Sequence, residues 1–174
     1  MDYMIDALLV AVLTSVIGSI AFFVLLWMLK PNIGISNQIA HYNGSDDQDI
    51  YLFKIINKSW FFCLYNIEVS LSLVRKETVE GGINSRFDPL LIKKNRITQI
   101  PNLRSNGDDA FFAQILTSKE RLSLLLSSND RYLELQIMAR HALSGFSKVF
   151  TKRYHTPSCV VRGKFVHGND FSIK

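Results

Sequence analysis

The sequence predicts an all-β domain, a sandwich or a barrel, behind a single membrane-spanning helix. Three observations carry that prediction. Residues 7–29 form an apolar run without one charged side chain. After it, stretches such as Ile67-Glu68-Val69-Ser70-Leu71-Ser72-Leu73 alternate apolar and polar side chains, the pattern of a strand with one buried face. Between such stretches stand Asn43-Gly44-Ser45, Gly81-Gly82, Ser144-Gly145 and similar groups, whose residues tolerate tight backbone bends.

A bilayer's hydrocarbon core is roughly 30 Å thick and takes about 20 helical residues to cross. Residues 7–29 meet that length, and a helix satisfies its own backbone polar groups in lipid. A cleaved signal peptide would begin basic and end at small residues. This chain begins with Asp2 and Asp6, and its run closes in Trp27-Met28-Leu29-Lys30-Pro31. Pro31 stops the helix because it has no amide hydrogen to donate. The expected division is an extracytoplasmic N-terminus (1–6), the span (7–29), a link (30–34) and a cytoplasmic domain (35–174).

Sidedness follows from charge. Beyond the span lie 20 basic and 13 acidic residues, a formal charge of +7, and basic flanks stay inside. The expected location is the cell's inner membrane, crossed once. Cys63 and Cys159 are the two cysteines; they fit a reducing compartment and are expected to be buried and unbridged. Within the span, Ala7, Ala11, Ser15 and Ser19 recur every four residues with Gly18 beside them. Residues four apart share a helix face, and small residues there let two helices approach closely in lipid.

The 144 residues after Lys30 suit one domain with a proper core. Strands are expected at 35–42, 53–57, 67–73, 96–100, 110–116, 133–140, 148–154, 159–165 and 171–173. Many short strands joined by turns point to the all-β class. The period breaks at Ser118-Lys119-Glu120-Arg121-Leu122-Ser123-Leu124-Leu125-Leu126. That segment reads as a short helix capped by Thr117 or Ser118, with Leu122, Leu125 and Leu126 on its packing face. Residues 78–88 show no period, contain two glycines, and are expected to form a long mobile hairpin loop.

Few constellations carry chemistry. His41, His141, His155 and His167 are scattered, and no closely spaced ligand pairs of a structural zinc site are present. Asp46-Asp47-Gln48-Asp49 lacks the glycine and distal glutamate of a calcium loop, so a solvated turn is expected. Ser144-Gly145 is not part of a G-x-S-x-G elbow. No glycine-rich loop leads into a helix to cradle phosphate. No enzyme activity, cofactor or metal is therefore expected. Basic residues concentrate instead in the C-terminal third: Arg140, Lys148, Lys152, Arg153, Arg162 and Lys164, with Lys30 at the end of the span. Alternation turns Lys148, Lys152 and Tyr154 one way and Arg153 the other. These are candidate contacts for an anionic ligand or lipid, and each basic residue near an anionic leaflet is worth about 1 kcal/mol. Nucleic acid is the other anionic partner and is disfavoured.

The order of elements resembles the inner helix and cytoplasmic domain of inward-rectifier potassium channels. Leu52-Phe53-Lys54-Ile55-Ile56-Asn57-Lys58-Ser59 is similar to that family's Arg-x-x-Asn-x-Arg stretch. Leu116-Thr117-Ser118-Lys119-Glu120-Arg121-Leu122 resembles its capped acidic helical turn. Ala139-Arg140-His141, Ser144-Gly145 and Tyr154 fall near its strand pair. Tyr154-His155-Thr156-Pro157-Ser158-Cys159-Val160-Val161-Arg162-Gly163-Lys164-Phe165 is similar to its Tyr-x-x-x-x-Ile-x-x-Gly-x-x-Phe ending, with longer spacing. The resemblance implies a cytoplasmic immunoglobulin-like antiparallel sandwich that assembles side by side, typically in fours. The chain departs from the family in lacking a second span, a pore helix and a Thr-x-Gly-Tyr-Gly filter. Without the filter's carbonyls it has no selective potassium pore of its own. Where the family places several basic residues below the membrane, this chain has Lys30.

The expected function is that of an oligomerising interaction or regulatory protein whose partners are the bilayer and either its own copies or another membrane protein. The alternative is a ligand-sensing membrane effector whose clustered helices permeabilise the bilayer.

Overall fold

The computed structural model describes residues 2–44, 49–60, 62–102, 122–128 and 130–174. It is mostly β, with one long helix at the N-terminal end. That helix, α1 (Asp2–Met28), is long and apolar enough over Tyr3–Met28 to cross a membrane, and none of its most apolar window is buried against the rest of the fold. The chain reaches its first strand sooner than the expected link allows. Ile33 and Gly34 already belong to β1 (Ile33–Ile35), which pairs antiparallel with β4 (Ile55–Asn57).

Two larger sheets complete the body. In one, β2 (Ile39–Asn43) lies between β3 (Asp49–Leu52) and β10 (Val160–Arg162). The pairing of β10 with β2 is parallel, so the expected all-antiparallel arrangement does not hold there. In the other sheet, β5 (Leu64–Val79) is central. From Leu64 to Arg75 it pairs with β8 (Arg131–His141), which in turn pairs with β9 (Ser147–Tyr154). The opposite edge of β5 is shared by β6 (Gly82–Leu90) and β7 (Arg96–Ile100).

Alternation builds the core. Ile67, Val69, Leu71 and Leu73 of β5 and Leu133, Leu135, Ile137 and Ala139 of β8 turn inward. They meet Ile33, Ile39, Tyr51 and Ile55 from the smaller sheets in one buried cluster. Leu64 is buried too, although it stands three positions before Ile67, out of the two-residue period. A bulge explains the phase: Tyr65 pairs with Arg140 and Glu68 with Met138, so Asn66 and Ile67 stand opposite Ala139 alone. Asn66 takes a left-handed conformation, φ 48°, which asparagine tolerates better than most residues. The extra residue restores the inward phase on both sides of the kink.

Several expected elements differ. Residues 78–88 are not a loop: β5 continues to Val79, Glu80-Gly81 make the turn, and β6 returns with Thr78 opposite Ile83. Both faces of this ribbon are exposed, so no apolar period marked it. The expected strand 35–42 is two strands, separated where the Ser36 amide donates to the Lys54 carbonyl (3.0 Å). Asp49 lies in β3, opposite Asn43, rather than in a solvated turn. Of 53–57, the last three residues are strand; of 159–165, three form β10, while Phe165 bridges to Ile173. The helix expected at 118–126 is present as α2 (Leu122–Leu125). Leu122 and Leu126 are buried and Leu125 packs beside them, and the Leu122 amide donates to the Tyr51 hydroxyl (3.2 Å). The strand expected at 110–116 and the cap residues Thr117 and Ser118 lie outside the described residues. Cys63 and Cys159 are unbridged, and half-buried rather than fully buried.

Candidate functional site

The expected basic residues are divided between surfaces. Register puts Lys148 opposite Ala139 and Lys152 opposite Leu135, so both share the inward-turned face of the large sheet, where Tyr154 stands opposite Leu133. Lys152 donates to the Asn37 side chain, and the Lys148 ammonium sits 4.8 Å from the Phe150 ring centre. Arg153 and Arg140 turn to the outer face, opposite Glu134 and Ser147. Arg153 Nε is 2.7 Å from Glu134 Oε2, and that carboxylate is itself buried. The hydrogen bond to Glu134 holds the Arg153 guanidinium even more firmly protonated than usual. Arg162 ends β10, and the Lys164 ammonium sits 4.4 Å from the Tyr42 ring centre. Lys30 follows α1 and is exposed.

Of these, Arg140 alone lines a concavity that opens over the bulge on the outer face. Its volume is about 510 Å³, and its walls include Asn66, Glu68, Arg96, Met138 and Ser147. A neighbouring hollow of about 360 Å³ shares Glu68, Arg96 and Met138. The bulge creates the space by displacing Asn66 from the regular pleat. Arg96 reaches across to Glu68 (Nη2 to Oε1, 3.2 Å) with both side chains largely exposed, so the pair is weak and readily opened. Arg140 donates from Nε to the Gly145 carbonyl (3.1 Å), and among the described residues its terminal nitrogens make no further bond. The groove thus offers two guanidinium groups and one carboxylate around a partly apolar floor, an arrangement able to receive a small anion. Sequence reasoning missed Arg96, Glu68 and Asn66 because β7 and the bulge bring them together across the sheet.

A second polar arrangement joins the body to α1. The Ser144 hydroxyl donates to the Leu29 carbonyl (3.0 Å), one of the carbonyls a helix end leaves without an internal partner. His141 lies below it: Nδ1 accepts from the Ser144 amide (3.3 Å) and stands 3.1 Å from the Ser144 hydroxyl oxygen. The His141 ring is buried, edge-on to Phe62 at 4.8 Å, and burial pushes its pKa below the ordinary value. A third, fully buried cation is Lys54. It donates to the Val166 carbonyl (2.6 Å) and to that of Asp170, pinning the C-terminal segment. Burial lowers its pKa, opposed by the Asp170 charge.

The small residues of the span are all exposed. The Ser19 hydroxyl donates to the Ser15 carbonyl (2.8 Å), and Thr14 bonds the Val10 carbonyl likewise. Those hydroxyls are satisfied within the helix, as lipid requires. Among the described residues, no group of three His, Cys, Asp or Glu side chains is placed to hold a metal ion.

No protein-family model matches the chain. Over 112 residues, 63% of its length, it is 32% identical to the nucleoporin NUP188 of Saccharomyces cerevisiae. The chain spans 6% of the length of that protein, and so small a share shows no family.

Proposed function

We propose that this chain is a membrane-anchored β body that works by assembling, with its own copies or with another membrane protein, and that it is neither an enzyme nor a selective pore. The body is an immunoglobulin-like sandwich on the cytoplasmic side, held to the inner membrane by α1. One observation carries the reading: the apolar helix is unburied against the body. Its exposed surface, including the stripe Ala7, Ala11, Ser15 and Ser19 with Gly18, is presented to lipid or to another helix. Close helix contact in lipid rests on such small residues. The basic excess after the span supports the orientation. Light scattering on the detergent-solubilised chain is expected to give the mass of several copies. A strict monomer at every concentration, with no co-purifying partner, overturns the reading.

A second reading rests on the groove. Arg96 and Arg140 would receive a small anionic ligand there, and binding would cluster the helices until the bilayer leaks. Dye release from liposomes carrying the protein, with nucleotides or inorganic phosphate added, separates the two. Release that depends on the added anion and is lost in Arg140→Ala favours this effector reading; intact vesicles around a stable complex favour assembly alone.

A further inference from the structure

We infer that the end of the body nearest α1 is an interfacial platform: Trp60, Leu143 and Phe146 dock it into the headgroup layer of an anionic bilayer. The inference rests on the reading of α1 as a span, and deepens it by naming what the body touches.

Four hydrogen bonds fix the platform beside the helix exit. The Ser144 hydroxyl bonds the carbonyl of Leu29, the residue after α1, so its neighbour Leu143 sits at that exit. The Phe146 amide donates to the same hydroxyl oxygen (3.3 Å). The Lys58 amide donates to the Asn32 carbonyl (2.9 Å), and Trp60, two residues on, lies within about 7 Å of that bond by the reach of the chain. The Ala142 amide donates to the Cys63 carbonyl (3.2 Å), joining the segment that carries Trp60 to the hairpin that carries Leu143.

These large side chains are well exposed to solvent. Trp60 is 62% exposed, Leu143 68% and Phe146 42%. Apolar exposure concentrated in one place marks an interaction surface. Here the nearest surface is settled by the exit itself, since whatever bonds Leu29 lies where a spanning helix leaves the hydrocarbon. Tryptophan sits by preference at that level, its ring in apolar surroundings and its N–H toward water. Charge agrees: Lys30, Lys58, Arg140 and Lys148 are exposed, and each stands within three residues of Leu29, Trp60, Leu143 or Phe146 along the chain. Their stems can lie along the acyl boundary while the cations meet lipid phosphates and carboxylates.

The chain holds two tryptophans, Trp27 and Trp60, which makes the test direct. The full chain is reconstituted into vesicles of phosphatidylcholine and phosphatidylserine, with lipid brominated near the top of the acyl chains as quencher. In Trp27→Phe the emission reports Trp60; in Trp60→Phe it reports Trp27. Both are expected to lose emission to a comparable extent, and Trp60 is expected to resist aqueous iodide. A Trp27→Phe/Trp60→Phe chain carrying Leu143→Trp is expected to behave as Trp60 does. Quenching of Trp27 without quenching of either platform probe overturns the inference and leaves the span standing. Quenching of none overturns the span and the platform together. A platform probe shielded from iodide yet untouched by bromolipid is covered by protein, which also overturns the inference. Weaker quenching in vesicles without phosphatidylserine supports the role given to the basic rim, and equal quenching overturns that part of it.

Discussion

The two halves of β5 make an instructive pair. From Leu64 to Val74 the strand lies under a second layer, and its inward side chains are almost fully buried. From Lys76 to Val79 the same strand, still paired with β6, buries nothing. Apart from the bulge at Asn66, backbone pairing continues through both halves. What changes is the presence of side chains from the smaller sheets across the inner face. Hydrogen bonding sets the ribbon's geometry, while burial supplies most of the stabilisation, at about 25 cal/mol for each Å² of apolar surface removed from water. The outer half is held by pairing and by surface ion pairs, Arg75 with Asp88 (3.0 Å) and Arg86 with Asp88 (3.2 Å), each of which contributes little.

Truncation tests that contrast most severely. Leu135 is fully buried opposite Leu71, so Leu135→Ala is expected to cost about 2–5 kcal/mol through lost contacts and the cavity left behind. Ile83 is 73% exposed on the ribbon, and Ile83→Ser is expected to stay within about 0.5 kcal/mol of the parent. Thermal unfolding of the full chain in detergent, followed by the β signal in circular dichroism, reads both. Equal losses would mean that the ribbon is covered in solution.

A smaller loss is expected where the tail closes on the body. Gly163 has φ 139°, and a methyl group there would stand 2.5 Å from the Lys174 carbonyl oxygen and 2.7 Å from Ile173 Cγ2. Backbone strain of this kind costs of order 1–3 kcal/mol. Gly163→Ala is therefore expected to loosen the paired segments that link Lys164 with Lys174 and Val166 with Ser172, while the large sheet keeps its protection. Hydrogen exchange at Lys164 and Val166 checks it: unchanged rates would show that the tail yields without cost.

The same contrast explains what the sequence could reveal. Where one face is buried, as along 67–73 and 133–140, the alternation of side chains carries the strand plainly. Where neither face is buried, as in β6, the residues obey no apolar period and the strand is invisible. The bulge at Asn66 interrupts the period, so Leu64 is detached from the run it belongs to. Lys54 is hidden for another reason: a lysine reads as surface until Val166 and Asp170, more than a hundred positions away, supply its carbonyl partners. The site suffers from the same distance effect. Arg140 was recognisable as one of several bases, but its meeting with Arg96 depends on β5 standing between their strands.

The finest test concerns the end of β5 nearest α1, where Leu64 pairs with His141. Nδ1 of His141 accepts from the Ser144 amide, and its buried Nε2 has no hydrogen-bond partner among the described residues. Burial favours the neutral ring and lowers its pKa in the folded state, below the value of about 6.5 of the unfolded chain. The unfolded chain then binds more protons, so stability rises with pH through this window. The contribution is fully present above about pH 6.5 and is lost as pH falls toward the folded value. Protonation also replaces the acceptor at Nδ1 with a donor facing the Ser144 amide hydrogen, which disturbs the turn bonded to Leu29. The melting temperature of the native chain is therefore expected to fall below pH 6.5 more steeply than that of His141→Gln, compared as slopes so that any uniform loss in the variant cancels. Parallel slopes would show that this ring does not titrate with unfolding, and that the body's junction with the helix is indifferent to acid.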